Sequence, residues 1–249
     1  MSKLRPVLKY FDCEYAGKVT KHTSRKIQSV LILFIFGFII KVYKSKVLVS
    51  LMQYCFMNIV FATNNLHKVE EARSVLGKNF LLKTPRELNL FEDIPETADT
   101  LKGNALIKAQ FIWQRLHIAC FADDTGLEVN ALNGAPGVYS ARYAGEQHDS
   151  KANMAKLLKE MEGILDRRAR FRTVIALIVD GKPFFFEGLL NGKIAEHPSG
   201  TGGFGYDPVF IPDGYDRTLA ELSPEEKNLI SHRGNSLRKL SVFLNQYKK

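Results

Sequence analysis

Cysteine is scarce. The chain carries three in 249 residues, Cys13, Cys55 and Cys120, and no two of them form a CxxC pair. That excludes a cysteine zinc site and a disulfide framework, and it suits a reducing compartment such as the cytoplasm. His and Cys are not clustered at metal-ligand spacing, so zinc is not expected. GxxxxGK[ST] is absent, so any phosphate-binding loop is not of the Walker type. No GxSxG or comparable nucleophile motif occurs, which favours an attacking water over a covalent intermediate. Internal repeats and low-complexity tracts are absent. So is a long apolar run: Val30–Ile40 gives eleven apolar residues between Lys26 and Lys41, whereas a membrane-spanning helix needs about 20.

Acidic residues are also scarce, but only at one end. Residues 1–56 hold ten of the 35 basic residues and two of the 26 acidic ones, so most of the net charge of +9 lies there. The remainder is nearly neutral, and the basic balance does not make it a nucleic-acid binder. The first 56 residues admit three readings: a short signal anchor, an amphipathic or packed extension, or translated upstream sequence. The run after Ile40, KVYKSK, is a poor cleavage site. The third reading is preferred, because a complete domain pattern begins at Met57. Two segments are therefore expected, an extension over 1–56 and a folded domain over 57–249.

From Asn58 the pattern alternates. Asn58–Ala62 predicts a buried strand, and Leu66, Val69, Ala72 and Leu76 predict a helix stopped by Gly77. A short strand near Phe80–Lys83 leads to an acidic loop, Phe91–Asp99. A helix from Thr100 presents Ala105, Ala109, Ile112, Trp113 and Leu116. Ile118–Ala122 predicts a strand that stops at Asp123-Asp124-Thr125-Gly126, with Leu127–Leu132 extended again and Asn133-Gly134 as a turn. Met154, Leu157, Leu158 and Met161 mark a helix. Phe171–Val179 and Pro183–Ile194 predict a hairpin around Asp180-Gly181. Ser223-Pro224-Glu225-Glu226 reads as a capping box, opening a helix that breaks near Gly234. The class is α/β with a mixed sheet.

Four segments could carry chemistry. The loop Thr63-Asn64-Asn65-Leu66-His67-Lys68 lies between a strand and a helix. Unpaired N–H groups there attract phosphate, and Lys68 is unfavourable by about 0.3–1 kcal/mol at a helix N-terminus unless an anion sits there. The plainer reading makes Asn65 an N-cap and Lys68 a surface residue. Asp123-Asp124 at a strand end could hold Mg²⁺, one of them activating a water, or could form a solvated turn. Glu96 is a further carboxylate with a weaker signal. Gly200–Pro208 packs Phe204, Gly205, Tyr206 and Asp207 among glycines. Phe204 there could stack on a base and Asp207 could fix its edge, against a flexible linker. Lys227 with Ser231-His232-Arg233 could reach a purine 6-keto oxygen or phosphates, or could be helix caps.

In order, these segments resemble the inosine/xanthosine triphosphate pyrophosphatase family. The carrying residues are Thr63, Asn65 and Lys68; Glu96-Thr97; Asn104-Ala105; Phe121 to Gly145; Gly200 to Phe210; and Ala220 to Gly234. The resemblance spans Met57–Lys249. It implies an elongated mixed sheet in two lobes with flanking helices and a central cleft, and a homodimer. It implies hydrolysis of ITP, dITP and XTP to the monophosphate and pyrophosphate. By the same resemblance Thr63 to Lys68 hold the triphosphate, and Glu96 and Asp124 bind Mg²⁺. Asp124 is also the base for water, and Thr125 lies beside the substrate. Phe204 to Asp207 form the base pocket, while Lys227, His232 and Arg233 read base or sugar-phosphate. Lys102 departs from the acidic residue common in relatives and is expected to tune, not abolish, metal binding. Two rivals stand: a pyrophosphatase for other modified nucleotides on a similar fold, and a non-catalytic nucleotide-binding regulator. Neither nucleic acid nor membrane is expected as a partner of the domain.

Overall fold

The computed structural model describes residues 57–247. The expectations for residues 1–56 lie outside them. Strand β1 (Met57–Phe61) leads through the polar loop into helix α1 (Leu66–Leu76), and β2 (Phe80–Lys83) returns beside β1. Helix α2 (Leu101–Leu116) crosses to β3 (Cys120–Val129) and the two-residue β4 (Pro136–Gly137). Helix α3 (Ser150–Glu160) precedes the hairpin of β5 (Arg168–Val179) and β6 (Lys182–Ile194). The chain then runs through β7 (Phe210–Pro212), α4 (Pro224–Ile230) and α5 (His232–Tyr247).

The seven strands form one open mixed sheet, ordered β2-β1-β3-β5-β6-β7, with β4 paired to β3. Strand β1 runs parallel to β2 and β3, and the other pairings are antiparallel. This is the mixed α/β sheet that the alternation predicted, with the flanking helices that the resemblance implied. Among the described residues, no helix is long and apolar enough to cross a membrane.

Period-two alternation distributes the core. From β3, Cys120 and Ala122 pack with Ala105, Ala109 and Ile112 of α2, whereas Phe121 faces the other way, against Leu237, Leu240 and Leu244 of α5. A third apolar cluster joins Leu127, Leu157, Phe171, Phe210 and Leu219 at the other end of β5. Helix α5 sits very close to the sheet at Gly188, the cross-strand partner of Thr173. A Cβ there would lie 1.9 Å from the His232 carbonyl oxygen and 2.6 Å from the Ser236 nitrogen.

Two boundaries differ from the sequence expectation. Strand β3 does not stop at Asp123 but continues to Val129, because β5 pairs with it residue by residue from Cys120 to Val129. Ten consecutive cross-strand partners override a local Asp-Asp-Thr-Gly signal that looks like a turn. The second difference is the helix break, which falls at Ser231 and not at Gly234. Ser231 is extended (φ −59°, ψ 142°) and its Oγ accepts from the Gly234 N–H at 2.9 Å, capping α5. The Ser223 capping box is present as predicted, with Pro224 in the first helical turn.

Candidate active site

Beyond the end of β1 the sheet borders a cleft of about 790 Å³, within the ordinary range for a small-molecule site. Its walls come from the start of α1, the middle of β3, the glycine loop, and the α4–α5 junction.

The uninterrupted course of β3 settles the geometry of the acid pair. Neighbouring residues of a strand point to opposite faces, so Asp123 and Asp124 do not share a site. Asp123 is buried on the α1/α5 face. Its Oδ1 accepts from Lys68 Nζ at 2.9 Å and its Oδ2 from Arg233 Nε at 3.0 Å. Burial raises its carboxyl, but Lys68, Arg233 and Lys108 outweigh that and hold it well below the usual carboxylate range. Arg233 donates in turn to Glu71 Oε2 at 2.9 Å, and Ser231 Oγ donates to Glu71 Oε1 at 2.9 Å. Asp123 is thus a buried counter-ion that anchors Lys68 and Arg233.

Asp124 lines the cleft on the α2 side. Asn104 Nδ2 donates to its Oδ2 at 3.2 Å, and Lys108 Nζ lies 3.5 Å from its Oδ1 and 3.0 Å from Glu96 Oε1. Burial pushes the Asp124 carboxyl upward; Lys108 opposes this, while Glu96 and Asp123 add to it. On Lys108, burial disfavours charge, but Asp124, Asp123 and Glu96 prevail and raise it. Sequence reasoning passed over Lys108. Its signal was a lysine four residues after Asn104, on the same helix face as apolar Ala105, Ala109 and Ile112. Lys102, by contrast, is exposed and sits over the Phe185 ring, 4.3 Å from its centre.

The donor set suits a hard cation. Two carboxylates, Glu96 and Asp124, converge on a single ammonium at the cleft, and Mg²⁺ takes one or two carboxylates and completes its shell with water and phosphate. No cluster of three or more His, Cys, Asp or Glu occurs among the described residues. A cage made wholly of protein ligands is therefore not what they offer.

In the loop before α1, the Asn65 side chain caps the helix by accepting from the Lys68 N–H at 3.2 Å, and Thr63 Oγ1 accepts from the Asn65 N–H at 3.2 Å. Both side-chain oxygens shape the loop, and Asn65 is the N-cap of α1. Asn65, His67 and Lys68 line the cleft; Thr63, Asn64 and Leu66 do not. Lys68 reaches inward to Asp123 and is not a solvated surface lysine.

The glycine loop divides its labour. Phe204 is half exposed, its ring 6.4 Å from the His67 ring and nearly parallel to it, with Lys227 Nζ 4.8 Å from the ring centre. Asp207 is buried. Its Oδ2 accepts from the Phe204 N–H at 2.7 Å and pairs with Lys227, so it braces the loop. Gly203 is at φ +73°, and a Cβ there would lie 2.1 Å from Asp207 Oδ2, so only glycine fits. Tyr206 is buried, donating its hydroxyl to the Ser140 carbonyl at 2.9 Å. Gly205 lines the cleft at φ +64°.

At the far wall His232 lies against Phe171, ring centres 4.8 Å apart, with Nδ1 2.6 Å from Thr173 Oγ1. Burial, reinforced by Arg233 and Lys227, puts the imidazole well below the usual histidine range, so it is neutral at physiological pH. Thr125 Oγ1 lies 2.7 Å from Thr173 Oγ1. Thr173 and Glu71 are further polar residues that the sequence reading left out.

Carboxylates, cations and an exposed ring around one cleft are the equipment of a nucleotide hydrolase. A family model described as the Ham1 family matches residues 59–243. The chain belongs to the Ham1 family. It is 52% identical over 188 residues to a dITP/XTP pyrophosphatase of Flavobacterium johnsoniae, a match covering 76% of this chain and 98% of that relative. A dITP/XTP pyrophosphatase of Porphyromonas gingivalis is 54% identical over 187 residues, covering 75% and 96%. Among solved structures, a HAM1 protein from Coxiella burnetii superposes with a TM-score of 0.73 at 40% identity, covering 77% of this chain and all of that one. The Ham1 match takes in every candidate site residue, from Thr63 to Arg233.

Proposed function

We propose that this Ham1-family protein hydrolyses non-standard purine nucleoside triphosphates, dITP, ITP and XTP, to the monophosphate and pyrophosphate. The observation that carries the reading is the division of the acid pair. Asp123 anchors the cationic wall, while Asp124 faces the cleft with Glu96. The names of the relatives support the substrate class.

Bound at Glu96 and Asp124, Mg²⁺ would neutralise the triphosphate and polarise a phosphoryl oxygen. Lys68, held in place by Asp123, binds the phosphates and offsets charge growing on the leaving pyrophosphate. Asp124 takes the proton of the water that attacks the α-phosphorus, and Asn104 and Lys108 fix its carboxylate in place for that step. Phe204 offers a face for the base. A 6-keto purine is chosen over a 6-amino purine by a donor it can satisfy, since the wrong partner leaves a buried group unpaired. GTP shares the 6-keto group, so its rejection falls to the 2-position. The reading extends to a homodimer in the cytoplasm, which rests on the resemblance; light scattering of the purified protein tests the assembly.

The test is a nucleotide panel with released pyrophosphate measured, with and without Mg²⁺. dITP and XTP are expected to lead, with turnover lost without the metal. Preference for modified pyrimidine or 7-methylated nucleotides would replace the substrate class, and ITP binding without monophosphate formation would replace the enzyme with a regulator. A narrower expectation concerns Lys68→Ala, which removes a phosphate cation and should raise KM about tenfold or more. Unchanged kcat and KM would take Lys68 out of the site.

A further inference from the structure

The inner face of β5 reads Ala169, Phe171, Thr173, Ile175, Leu177, Val179 at period two, all buried. Thr173 is the one polar residue on that face, and it is completely buried. A hydroxyl placed among apolar side chains costs stability unless it is hydrogen-bonded. Here it has two partners: Thr125 Oγ1 at 2.7 Å and His232 Nδ1 at 2.6 Å. A three-member chain therefore runs from the cleft wall at Thr125, through a residue with no solvent access, to the ring of His232.

The other end of that ring is open. Among the described residues no buried side-chain nitrogen or oxygen lacks a partner. His232 lines the cleft, and its hydrogen bond is made at Nδ1. Nε2 accordingly reaches the open space of the cleft. The ring plane is fixed by Phe171 on one side, and its backbone rests on Gly188, the strand partner of Thr173.

A neutral imidazole has one N–H and one bare nitrogen, and the hydrogen bond at one nitrogen sets the role of the other. If the Thr173 hydroxyl donates to Nδ1, the proton sits on Nε2 and the cleft sees a donor. Thr125 then donates to Thr173, so the buried hydroxyl both gives and receives a hydrogen bond.

We infer that Thr173 is a positioning residue for base selectivity: it donates to His232 Nδ1, so that His232 presents Nε2–H to the cleft as a donor for the 6-keto oxygen of the base. Thr125 completes the relay by donating to Thr173. The inference rests on the reading of the cleft as a purine triphosphate site. A 6-amino purine brings an N–H to this point and meets an N–H. Thr173 itself touches no substrate.

The test has two arms on the full chain. The first is ¹⁵N NMR of histidine-labelled protein at neutral pH, with the His232 signals assigned by their absence in His232→Gln. A protonated Nε2 and bare Nδ1 are expected, and a protonated Nδ1 overturns the inference. The second compares Thr173→Val and Thr173→Ser with the parent in kcat/KM for dITP and dATP. In Thr173→Val the ring is free to change tautomer, and the dITP:dATP ratio should fall about tenfold, while Thr173→Ser keeps it. An unchanged ratio in Thr173→Val, in protein with parental circular dichroism, overturns the inference. A loss of dITP turnover with the ratio preserved would mark Thr173 as structural only and overturn it equally. If the parent protein turns over neither nucleotide, the functional reading fails, and the NMR arm still decides the tautomer.

Discussion

Asp124→Asn is expected to lower kcat by about 10³-fold or more, because a positioned base alone contributes about 10²–10⁴ and Asp124 is also assigned to the metal. The fold should tolerate the change. An asparagine oxygen can still accept from Asn104 Nδ2, and the side chain sits at the cleft wall and not in an apolar cluster. Nucleotide affinity should stay measurable, since Lys68, Phe204 and His232 are untouched. Pyrophosphate release and calorimetric titration with dITP separate the two quantities. Full turnover in this variant would refute Asp124 as base. Asp123→Asn makes a useful contrast: its carboxylate faces the opposite side of the sheet, so its loss should act through the placement of Lys68 and Arg233, with a cost in stability.

The second large effect is on stability. Arg233→Met should destabilise the fold by about 3–5 kcal/mol, the usual cost of removing one partner from a buried ion pair. Arg233 is buried and holds Asp123 at 3.0 Å and Glu71 at 2.9 Å. Without it, Asp123 retains Lys68 alone and Glu71 retains the Ser231 hydroxyl. The hydrophobic stem of methionine replaces volume but not charge. Urea unfolding should show a lower midpoint at unchanged slope. A loss under about 1 kcal/mol would mean the network is solvated and carries little of the fold. The double variant with Asp123→Asn should cost less than the sum of the singles, since both act on one network.

Much of this was readable from residue order. The strand–loop–helix at Asn58–Leu76, the hairpin around Asp180-Gly181 and the Ser223 capping box rest on local rules: periodicity, turn residues and caps. Lys68, Asp124, Phe204, Lys227 and His232 at the cleft wall were legible because they lie in compact motifs, and the Ham1 match runs through all of them. What was not legible depends on partners far away in sequence. Asp123 and Asp124 read as a pair at a strand end, yet the pairing of β3 with β5 extends the strand and sends them to opposite faces. Lys108, Glu71 and Thr173 gave no motif; each matters through a contact made 16 or more residues away, to Asp124, Arg233 and His232 respectively. Asp207 has a second role that its motif did not show: its Oδ2 accepts from the Phe204 N–H and pairs with Lys227, which braces the glycine loop.

The contact between Gly188 and the His232 carbonyl has a consequence for how this protein could change over time. A selection for a new base preference can draw on the glycine loop, where Phe204 is half exposed at the cleft. It has almost no room beneath His232, where the helix lies directly on the sheet. Variation that alters what is recognised should therefore accumulate on the loop side of the cleft, while the strand side stays fixed as the datum against which the reader is measured.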